Sequence, residues 1–335
     1  MIKEAIKKLV EKKLCDFKTL KQTFLEIFEN KASDFEISAF LVALRMKEES
    51  AQDIYAAASV IRKKAVKIKV KGDILDTCGT GGSGIGKFNI STTVAFIAAA
   101  AGFKVAKHGN RSITSSCGSA DLLESLGINI FAPSQLMQES LEKIGIAFLF
   151  APLYHPAFKN VAHIRKGLGI KTIFNIVGPL CNPAQATHQL LGVSHPDLLY
   201  KTSYALKKLG IKKAAVVYSP DLKDEVSLKE PTEVIFVDKK GMKKRKILPS
   251  QFGLKKYSAK RLKVKDKDES VKIFLSIIEG KDSPYYEAVL ANASLCFYLL
   301  GKVRSLKEGV RLADSLIKEG KVKKKFLEFR DFLKR

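Results

Sequence analysis

The sequence has no tryptophan, four methionines, five histidines and no paired cysteine motif. Its five cysteines, at positions 15, 78, 117, 181 and 296, are odd in number and widely separated, without a Cys-x-x-Cys spacing. This pattern argues against a disulfide framework and against a cysteine-based zinc site. It favours reduced thiols in a cytoplasmic protein.

Long apolar runs are also missing. The longest, around residues 94–101, is far shorter than the roughly 20 residues that a membrane-spanning helix needs. The first residues, MIKEAIKKLVEKKL, mix acids with lysines at helical spacing and contain neither the apolar core nor the cleavage site of a signal peptide. We therefore expect a cytoplasmic protein without membrane association.

Acidic residues are scarce relative to basic ones, since 59 Lys and Arg against 34 Asp and Glu give a net charge of +25. Such a charge suits nucleic acid, a membrane surface or an anionic metabolite. The lysines are densest at 238–272 and 320–325, without the interleaved aromatic residues of a base-stacking surface. We therefore predict solvated hairpin and helix faces there, and no specific nucleic-acid binding.

The pattern of apolar residues changes near residue 71. Before it, apolar residues at helical spacing and the capping residues Asp16, Ser33 and Ser50 predict four short helices. After it, strands alternate with helices, with strands predicted to end near 77 and to span 103–107, 146–150, 214–218 and 233–238. Three helices are predicted to close the chain from about Glu269. The fold class is therefore α/β: an N-terminal helical bundle domain at 1–70 and a larger α/β domain at 71–335, with a mainly parallel central sheet.

The segment DTCGTGGSGIGKFNIST, residues 76–92, places five glycines in the eight residues from Gly79 to Gly86. It follows a predicted strand and precedes an apolar helix at 93–101. A glycine loop at a helix N-terminus offers backbone N–H groups and the positive end of the helix dipole to an anion. The Walker pattern is excluded because Lys87 is followed by Phe88, and the match to Gly-x-Gly-x-x-Gly is weak in so glycine-rich a stretch. The loop predicts a phosphate or diphosphate site, with a structural turn as the alternative.

A second polar loop, KHGNRSITSS at 107–116, also follows a predicted strand. It combines two cations, an imidazole, an amide and four hydroxyls, which suits a ligand with many oxygens. The alternative is an ordinary polar loop with capping serines. Two such loops in succession would face one crevice at the carboxyl edge of a parallel sheet.

Two further features carry charge. Asp224 and Glu225 follow the predicted strand 214–218, where they would balance magnesium carried by a diphosphate, or form a solvated acidic patch. Arg165 lies on a predicted helix before a Gly-Pro bend, where it would clamp a carboxylate or simply lie on the surface.

Together these segments resemble the anthranilate phosphoribosyltransferase family. The resemblance rests on GTGGSG, K and FNIST in 79–92, KHGNRSITSSCGSADLLESLG (107–127), HPAFKNVAHIRKGLGIKTIFNIVGPLCNPA (155–184), DEVS (224–227) and FLVALRMKEES (40–50). It covers residues 1 to about 330, in order and at family spacing.

The resemblance implies a transferase of tryptophan biosynthesis. Such an enzyme moves the phosphoribosyl group of 5-phosphoribosyl diphosphate (PRPP) to the amino group of anthranilate and releases diphosphate, with one or two Mg²⁺ ions. The resemblance also implies that part of 155–190 completes the helical domain and that the chain forms a homodimer through that domain.

The resemblance also implies roles for individual residues. For PRPP it implies Gly79, Gly82, Ser83, Lys87, Asn89, Ile90, Ser91, Thr92, Lys107, His108, Gly109, Asn110, Arg111, Ser112, Ser115 and Ser119. For anthranilate it implies Gly79, Asn110, His155, Gly178 and Arg165, the last on the carboxylate. For magnesium it implies Ser91, Asp224 and Glu225. Lys107 and Arg165 are expected to act as charge and positioning groups, and no residue is expected to be a covalent nucleophile.

The glycine loop departs from the family pattern at two positions. The family has Gly-Thr-Gly-Gly-Asp with a threonine a few residues later, whereas this chain has Ser83 and Lys87 there. The loop is thus more positive by two charges, which favours diphosphate binding and lessens the need for a second metal ion. The alternative is that Lys87 merely points to solvent.

Two rival functions remain possible on the same fold. A pyrimidine-nucleoside phosphorylase would need a Lys-His-Ser-Thr-Gly-Gly loop, which is absent. A nucleic-acid-binding relative without transferase activity has only the charge of +25 in its favour.

Overall fold

In a computed structural model, which describes residues 1–81, 86–112 and 117–334, the chain begins with the expected bundle of helices. The side chain of Asp16 caps the second helix, and the capping boxes Ser33/Glu36 and Ser50/Asp53 open the third and fourth. These caps bond N–H groups that have no partner inside the helix. The helices are α1 (Ile2–Val10), α2 (Phe17–Phe28), α3 (Asp34–Lys47) and α4 (Ala51–Lys64).

The bundle packs around aromatic side chains that later helices also contact. Phe24 and Phe40 are fully buried, with ring centroids 5.5 Å apart in an edge-to-face arrangement. Phe174, on a short helix far along the chain, lies 6.3 Å from Phe24. Two later helices, α9 (Lys159–Leu168) and α10 (Phe174–Val177), therefore share the core of the bundle.

The described residues form one sheet of seven strands, in the order β3-β2-β1-β4-β5-β6-β7. The first five strands in this order are parallel, and β6 and β7 add an antiparallel edge. The predicted fold class, with a mainly parallel sheet, is confirmed. The strands are β1 (Ile74–Gly79), β2 (Lys104–Gly109), β3 (Ile146–Phe150), β4 (His188–Gly192), β5 (Lys213–Tyr218), β6 (Thr232–Asp238) and β7 (Met242–Ile247).

The strand order reverses beside β1. The chain runs from β1 through β2 to β3 on one side and then returns to place β4 on the other side of β1, in register from Leu75–His188 to Gly79–Gly192. In open α/β sheets, ligands bind outside the carboxyl ends of the strands at such a switch point. Gly79 and Gly192 end the two strands at this point.

Helices cover both faces of the sheet. One face packs against the apolar helix α5 and the long α13, and α11 packs against α4 of the bundle. No helix in the described ranges combines the length and apolar character needed to cross a bilayer. The remaining helices are α5 (Ile90–Ala100), α6 (Ser119–Ser125), α7 (Ser134–Lys143), α8 (Ala151–Tyr154), α11 (Asp197–Lys208), α12 (Lys267–Ile278), α13 (Pro284–Leu300), α14 (Leu306–Lys318) and α15 (Lys321–Phe332).

Two details differ from the sequence-based expectation. The prediction of three closing helices is wrong for the described chain, which has four, because Gly320 adopts a left-handed φ of 72° and separates α14 from α15. Strand β4 has no counterpart among the predicted strands, since its apolar run is only Leu190-Leu191. The lysine-rich segment after Asp238 does form a hairpin, in which β7 is an exposed edge strand whose lysines disfavour further strand pairing.

Candidate active site

The glycine loop leaves β1 at Gly79 and ends where α5 begins at Ile90. Its central residues 82–85, with the predicted ligands Gly82 and Ser83, lie outside the described residues, as does Ser115 of the second loop. Gly81 and Gly86, on either side of that gap, have φ of 64° and 63°, a region that favours glycine. The glycines thus let the chain turn sharply between the strand and the helix.

The first turn of α5 supplies polar groups without protein partners. The Asn89 side chain donates to the Cys117 carbonyl at 3.2 Å, which links the two polar loops. Within the described part of the chain, the buried Asn89 Oδ1 and Thr92 Oγ1 have no hydrogen-bond partner. Buried polar atoms are rarely left unpaired, so these atoms indicate a ligand or water position at the helix N-terminus. Ile90, predicted to contact PRPP, has its side chain in the core.

Lys107 places a buried cation at the same helix end. Its Nζ donates to the Thr77 carbonyl at 2.6 Å and to the Ser91 hydroxyl at 3.3 Å. Asp76 is fully buried nearby and accepts the His108 backbone N–H and the Gln189 amide, each at 3.3 Å. Burial lowers the pKa of Lys107 and raises that of Asp76, while the attraction between the two opposes both shifts.

Asp224 and Glu225 are buried, 7% and 8% exposed, so the alternative of a solvated acidic patch is wrong. Asp224 packs on the ends of both central strands: a Cβ on Gly79 would lie 2.7 Å from Asp224 Oδ2, and one on Gly192 would lie 1.8 Å from the Asp224 carbonyl oxygen. Glu225 accepts the Ser91 backbone N–H. Burial raises the pKa of Glu225 to about 7, and Asp224 adds to this, although two nearby lysines oppose it.

Lys87 does not point to solvent. Its ammonium forms an ion pair with Asp224 and donates to the Leu222 carbonyl at 2.8 Å. The Lys87 side chain is 10% exposed. The cation gained in the glycine loop therefore contacts a predicted metal ligand in this structure.

The described residues of the second polar loop, up to Ser112, pack against the start of α6. A Cβ on Gly109 would lie 2.3 Å from Ser119 Oγ, and Ser119 donates to the Asn110 carbonyl at 3.3 Å. The Ser112 backbone N–H donates to Asp121 at 3.0 Å. The Arg111 guanidinium forms ion pairs with Asp121 and Glu124 of α6. Arg111, one of the residues predicted to bind PRPP, is thus paired with two carboxylates of α6 in this structure.

Two buried imidazoles lie on the side of the site nearer the helical bundle. His108 and His155 have ring centroids 5.0 Å apart. Burial lowers the pKa of His108 to about 3 and that of His155 to about 4. His108 bonds the backbone of Gly178 and His155 that of Cys181, which leaves both Nε2 atoms without a partner in the described chain. Both rings are neutral acceptors at physiological pH.

Arg165 lies beside an aromatic cluster that adjoins His155. Its guanidinium lies 5.8 Å from the centre of the Phe174 ring and makes no ion pair with any described residue. Burial lowers its pKa. Phe158 packs between Phe174 and His155, at 5.4 and 6.0 Å between ring centroids. An unpaired, partly buried guanidinium beside an aromatic wall suits an aromatic carboxylate.

The site therefore has two parts joined by neighbouring residues of β2. Lys107 contacts Ser91 at the start of α5, and His108 packs on His155 next to the aromatic cluster. Two residues that contribute to the site were not predicted from the sequence, Gly192 and Asp76. An aspartate inside a predicted buried strand is the signal that would have indicated Asp76, whereas Gly192 ends a strand whose apolar run is too short to be predicted.

The donor set fits a magnesium ion that brings most of its own ligands. Ser91 and Glu225 are in contact, and Asp224 adjoins Glu225. Within the described ranges, no three His, Cys, Asp or Glu side chains converge as a metal site. Mg²⁺ commonly uses one or two carboxylates together with substrate phosphates and water, so the two buried carboxylates are sufficient.

Comparisons with known proteins identify the family of the chain. Two family models match, "Glycosyl transferase family, helical bundle domain" over residues 3–65 and "Glycosyl transferase family, a/b domain" over residues 71–323. The anthranilate phosphoribosyltransferase of Persephonella marina is 44% identical, with 100% of this chain and 99% of that protein covered.

Solved structures of anthranilate phosphoribosyltransferases are similar to this chain in fold and sequence. The anthranilate phosphoribosyltransferase of Thermus thermophilus has a TM-score of 0.92 at 35% identity, with 99% of each chain covered. That of Saccharomyces cerevisiae, in complex with PRPP and Mg, has a TM-score of 0.91 at 28% identity, covering 99% of this chain and 98% of that one. The yeast enzyme was also solved with 4-fluoroanthranilate, with a TM-score of 0.90 at 27% identity and the same coverage. The chain belongs to the anthranilate phosphoribosyltransferase family.

Proposed function

We propose that this protein transfers the phosphoribosyl group of PRPP to the amino group of anthranilate, forming N-(5-phosphoribosyl)anthranilate and diphosphate in tryptophan biosynthesis. The observation that carries the proposal is the adjacency of the two half-sites on β2. Lys107 contacts Ser91 at the N-terminus of α5, where it would bind an anion, and the next residue, His108, packs on His155. The Phe158 and Phe174 rings connect His155 to Arg165, which would bind a carboxylate. A substrate that carries a monophosphate and a diphosphate would thus meet an aromatic carboxylate at one strand end.

The residues of the chain supply binding, charge and orientation. Departure of diphosphate places negative charge on its oxygens, which Lys107 and the N-terminus of α5 stabilise. Ser91, Asp224 and Glu225 would hold Mg²⁺, which when bound neutralises the leaving group. Arg165 would orient the anthranilate carboxylate.

The amine needs no strong base, because an aromatic amine is already neutral near physiological pH. The unpartnered Nε2 atoms of His108 and His155 are acceptors that can receive an N–H from it. Positioning of the two substrates therefore accounts for most of the rate acceleration, and no covalent nucleophile is needed.

We also propose that the chain acts as a homodimer through its helical domain. The outward face of α3 carries an apolar stripe at i, i+4, i+7 and i+11: Phe35, Ala39, Val42 and Met46. Phe35 is 87% exposed and Met46 81%. Two large apolar side chains on one helix face are typical of an interaction surface. A second copy is the proposed partner, and a cytoplasmic location is expected since the five cysteines, all among the described residues, are buried and form no disulfide.

The domain division that we propose follows the core that the helices share. Residues 1–70 with part of 155–190 form the helical domain, since Val161, Ile164 and Phe174 share one core with α2 and α3. Residues 71–335 form the domain that binds PRPP.

The proposed activity is tested by the loss of anthranilate fluorescence when protein, PRPP and Mg²⁺ are combined. Omission of PRPP is the matched control, and stoichiometric release of diphosphate should accompany the loss. Phosphate-dependent cleavage of pyrimidine nucleosides without this reaction would instead indicate the phosphorylase. Salt-resistant DNA binding without either activity would indicate a non-transferase relative.

A further inference from the structure

Lys87 and Asp224 form an ion pair between residues 137 positions apart in the chain. Both side chains are largely buried, at 10% and 8% exposure. The same ammonium donates to the Leu222 carbonyl at 2.8 Å. An ion pair removed from solvent in this way is screened little by salt, so it affects whatever else binds Asp224.

The backbone of Lys87 is held in place at the end of the glycine loop. The Val264 N–H donates to the Gly86 carbonyl at 2.8 Å, and the Phe88 N–H donates to the Leu262 carbonyl at 3.1 Å. The Tyr285 hydroxyl donates to the Lys263 carbonyl at 2.8 Å on the same segment. Lys87 is therefore anchored by its backbone, and only its side chain is left to move.

Asp224 cannot keep this ammonium and accept a divalent ion at the same oxygen. A magnesium ion lies about 2.1 Å from its ligand oxygens and would be strongly repelled by a cation bonded to the same carboxylate. The Asp224 backbone packs closely against Gly192, and its carboxylate packs against Gly79. A metal ion at Oδ1 therefore requires the Lys87 side chain to leave, and a metal ion at Oδ2 would still be repelled by the ammonium on the same carboxylate.

We propose that Lys87 is a counter-ion held by its backbone beside the metal-binding carboxylate. Its ammonium stays paired with Asp224 until diphosphate binds. This inference rests on the proposed function, since that function places Mg²⁺ at Asp224. Diphosphate provides oxygen ligands for the metal ion and a new anion for the displaced ammonium. Mg²⁺ therefore binds the substrate-free protein weakly and binds with diphosphate much more tightly.

The test measures metal binding to the protein without substrates. Isothermal titration with Mg²⁺ at pH 8, or Mn²⁺ titration followed by electron paramagnetic resonance, compares the unchanged protein with Lys87→Met. Methionine keeps much of the length of the side chain and removes its charge. We expect the Kd for the metal to fall about tenfold or more in Lys87→Met, since the competing cation is gone. Inorganic diphosphate should increase metal affinity in the unchanged protein far more than in the variant.

Three variants make the result specific. Lys263→Met removes an exposed lysine of the adjacent segment and should leave the metal Kd unchanged. Lys87→Arg keeps the cation and should retain weak binding, and Asp224→Asn should abolish the tight binding that Lys87→Met creates. Thermal unfolding confirms that each variant is folded.

Equal metal affinity in the unchanged protein and folded Lys87→Met would overturn the proposal, as would weaker binding in that variant. If Lys87→Met does not fold, tight metal binding by the unchanged protein without diphosphate would overturn it just as well. None of these titrations requires transferase activity. A protein that binds metal as expected but consumes no anthranilate would contradict only the proposed function.

Discussion

The rings of His108 and His155 lie with their centroids 5.0 Å apart and their planes inclined by 58°, and both side chains are buried. Among the described residues, no carboxylate is paired with either ring, and each ring bonds a backbone group. The pair is therefore held neutral, which suits a pocket for an aromatic amine. It also makes the stability of the fold sensitive to pH.

We expect the free energy of unfolding to fall as the pH is lowered from 7 to 5. In the unfolded chain both imidazoles take up a proton below about pH 6.5, whereas in the fold their pKa values are about 4 and about 3. Their stabilising contribution is thus complete above pH 6.5 and is lost progressively below it. At pH 5 the loss is at most about 2 kcal/mol for each ring. Urea unfolding of the unchanged protein and His155→Gln at the two pH values measures the difference.

The matched control is His195→Gln, which changes an exposed histidine on the surface. Glu225 changes the pH dependence of stability in the opposite direction, because its pKa of about 7 lies above that of an unfolded glutamate. Glu225 is present in all three proteins, so its effect cancels when they are compared. If the free energy of unfolding falls by the same amount between pH 7 and pH 5 in the unchanged protein and in His155→Gln, the interpretation of His155 as a buried neutral ring is wrong.

Arg165→Ala should raise the KM for anthranilate far more than the KM for PRPP. A charge-assisted hydrogen bond is worth roughly 1.5–3 kcal/mol, which corresponds to a roughly 10- to 150-fold loss of affinity. Steady-state kinetics with each substrate varied in turn measures both constants. Lys166→Ala, which removes the exposed neighbouring cation, should change neither. Equal increases in both KM values would show that Arg165 does not bind the carboxylate.

Much of the site could be predicted because it lies at strand ends. The glycine loop after β1 and the polar loop after β2 follow from local sequence patterns, and parallel strands bring their ends together. The partner of Lys87 could not be predicted, since Asp224 is 137 residues away and no local pattern links them. The same holds for Arg111, whose charge suits PRPP but whose side chain pairs with Asp121 and Glu124 of α6.

The apolar stripe on α3 predicts the effect of surface substitutions on assembly. Phe35→Glu combined with Met46→Lys places opposite charges on a face that we propose to be buried between two copies. Desolvating these charges would disfavour the dimer, so we expect a monomer of about 37 kDa by light scattering. Tyr200→Glu with Leu275→Lys changes two other exposed apolar residues and should leave the dimer intact. A dimer in the first variant at micromolar concentration would exclude this face.

The last prediction concerns Asp76, which lies beneath Lys107 and does not line the crevice itself. Asp76→Asn removes the buried negative charge near Lys107 and replaces one acceptor oxygen with an amide that cannot accept a hydrogen bond. One of the two donors that Asp76 bonds, the His108 N–H and the Gln189 amide, then faces an N–H group instead of an oxygen. We expect the free energy of unfolding to fall by about 3 kcal/mol.

The effect on substrates should separate the two half-sites. Lys107 reaches Ser91 at the anion-binding end of α5, so its displacement should raise the KM for PRPP while the KM for anthranilate stays nearly constant. Asp73→Asn is the matched control three residues earlier, where an exposed carboxylate pairs with Lys212 at 2.6 Å. An exposed pair of this kind is worth at most about 1 kcal/mol, and its loss should leave both KM values unchanged. If Asp76→Asn lowers stability but leaves the KM for PRPP unchanged, Asp76 supports the strand without positioning Lys107.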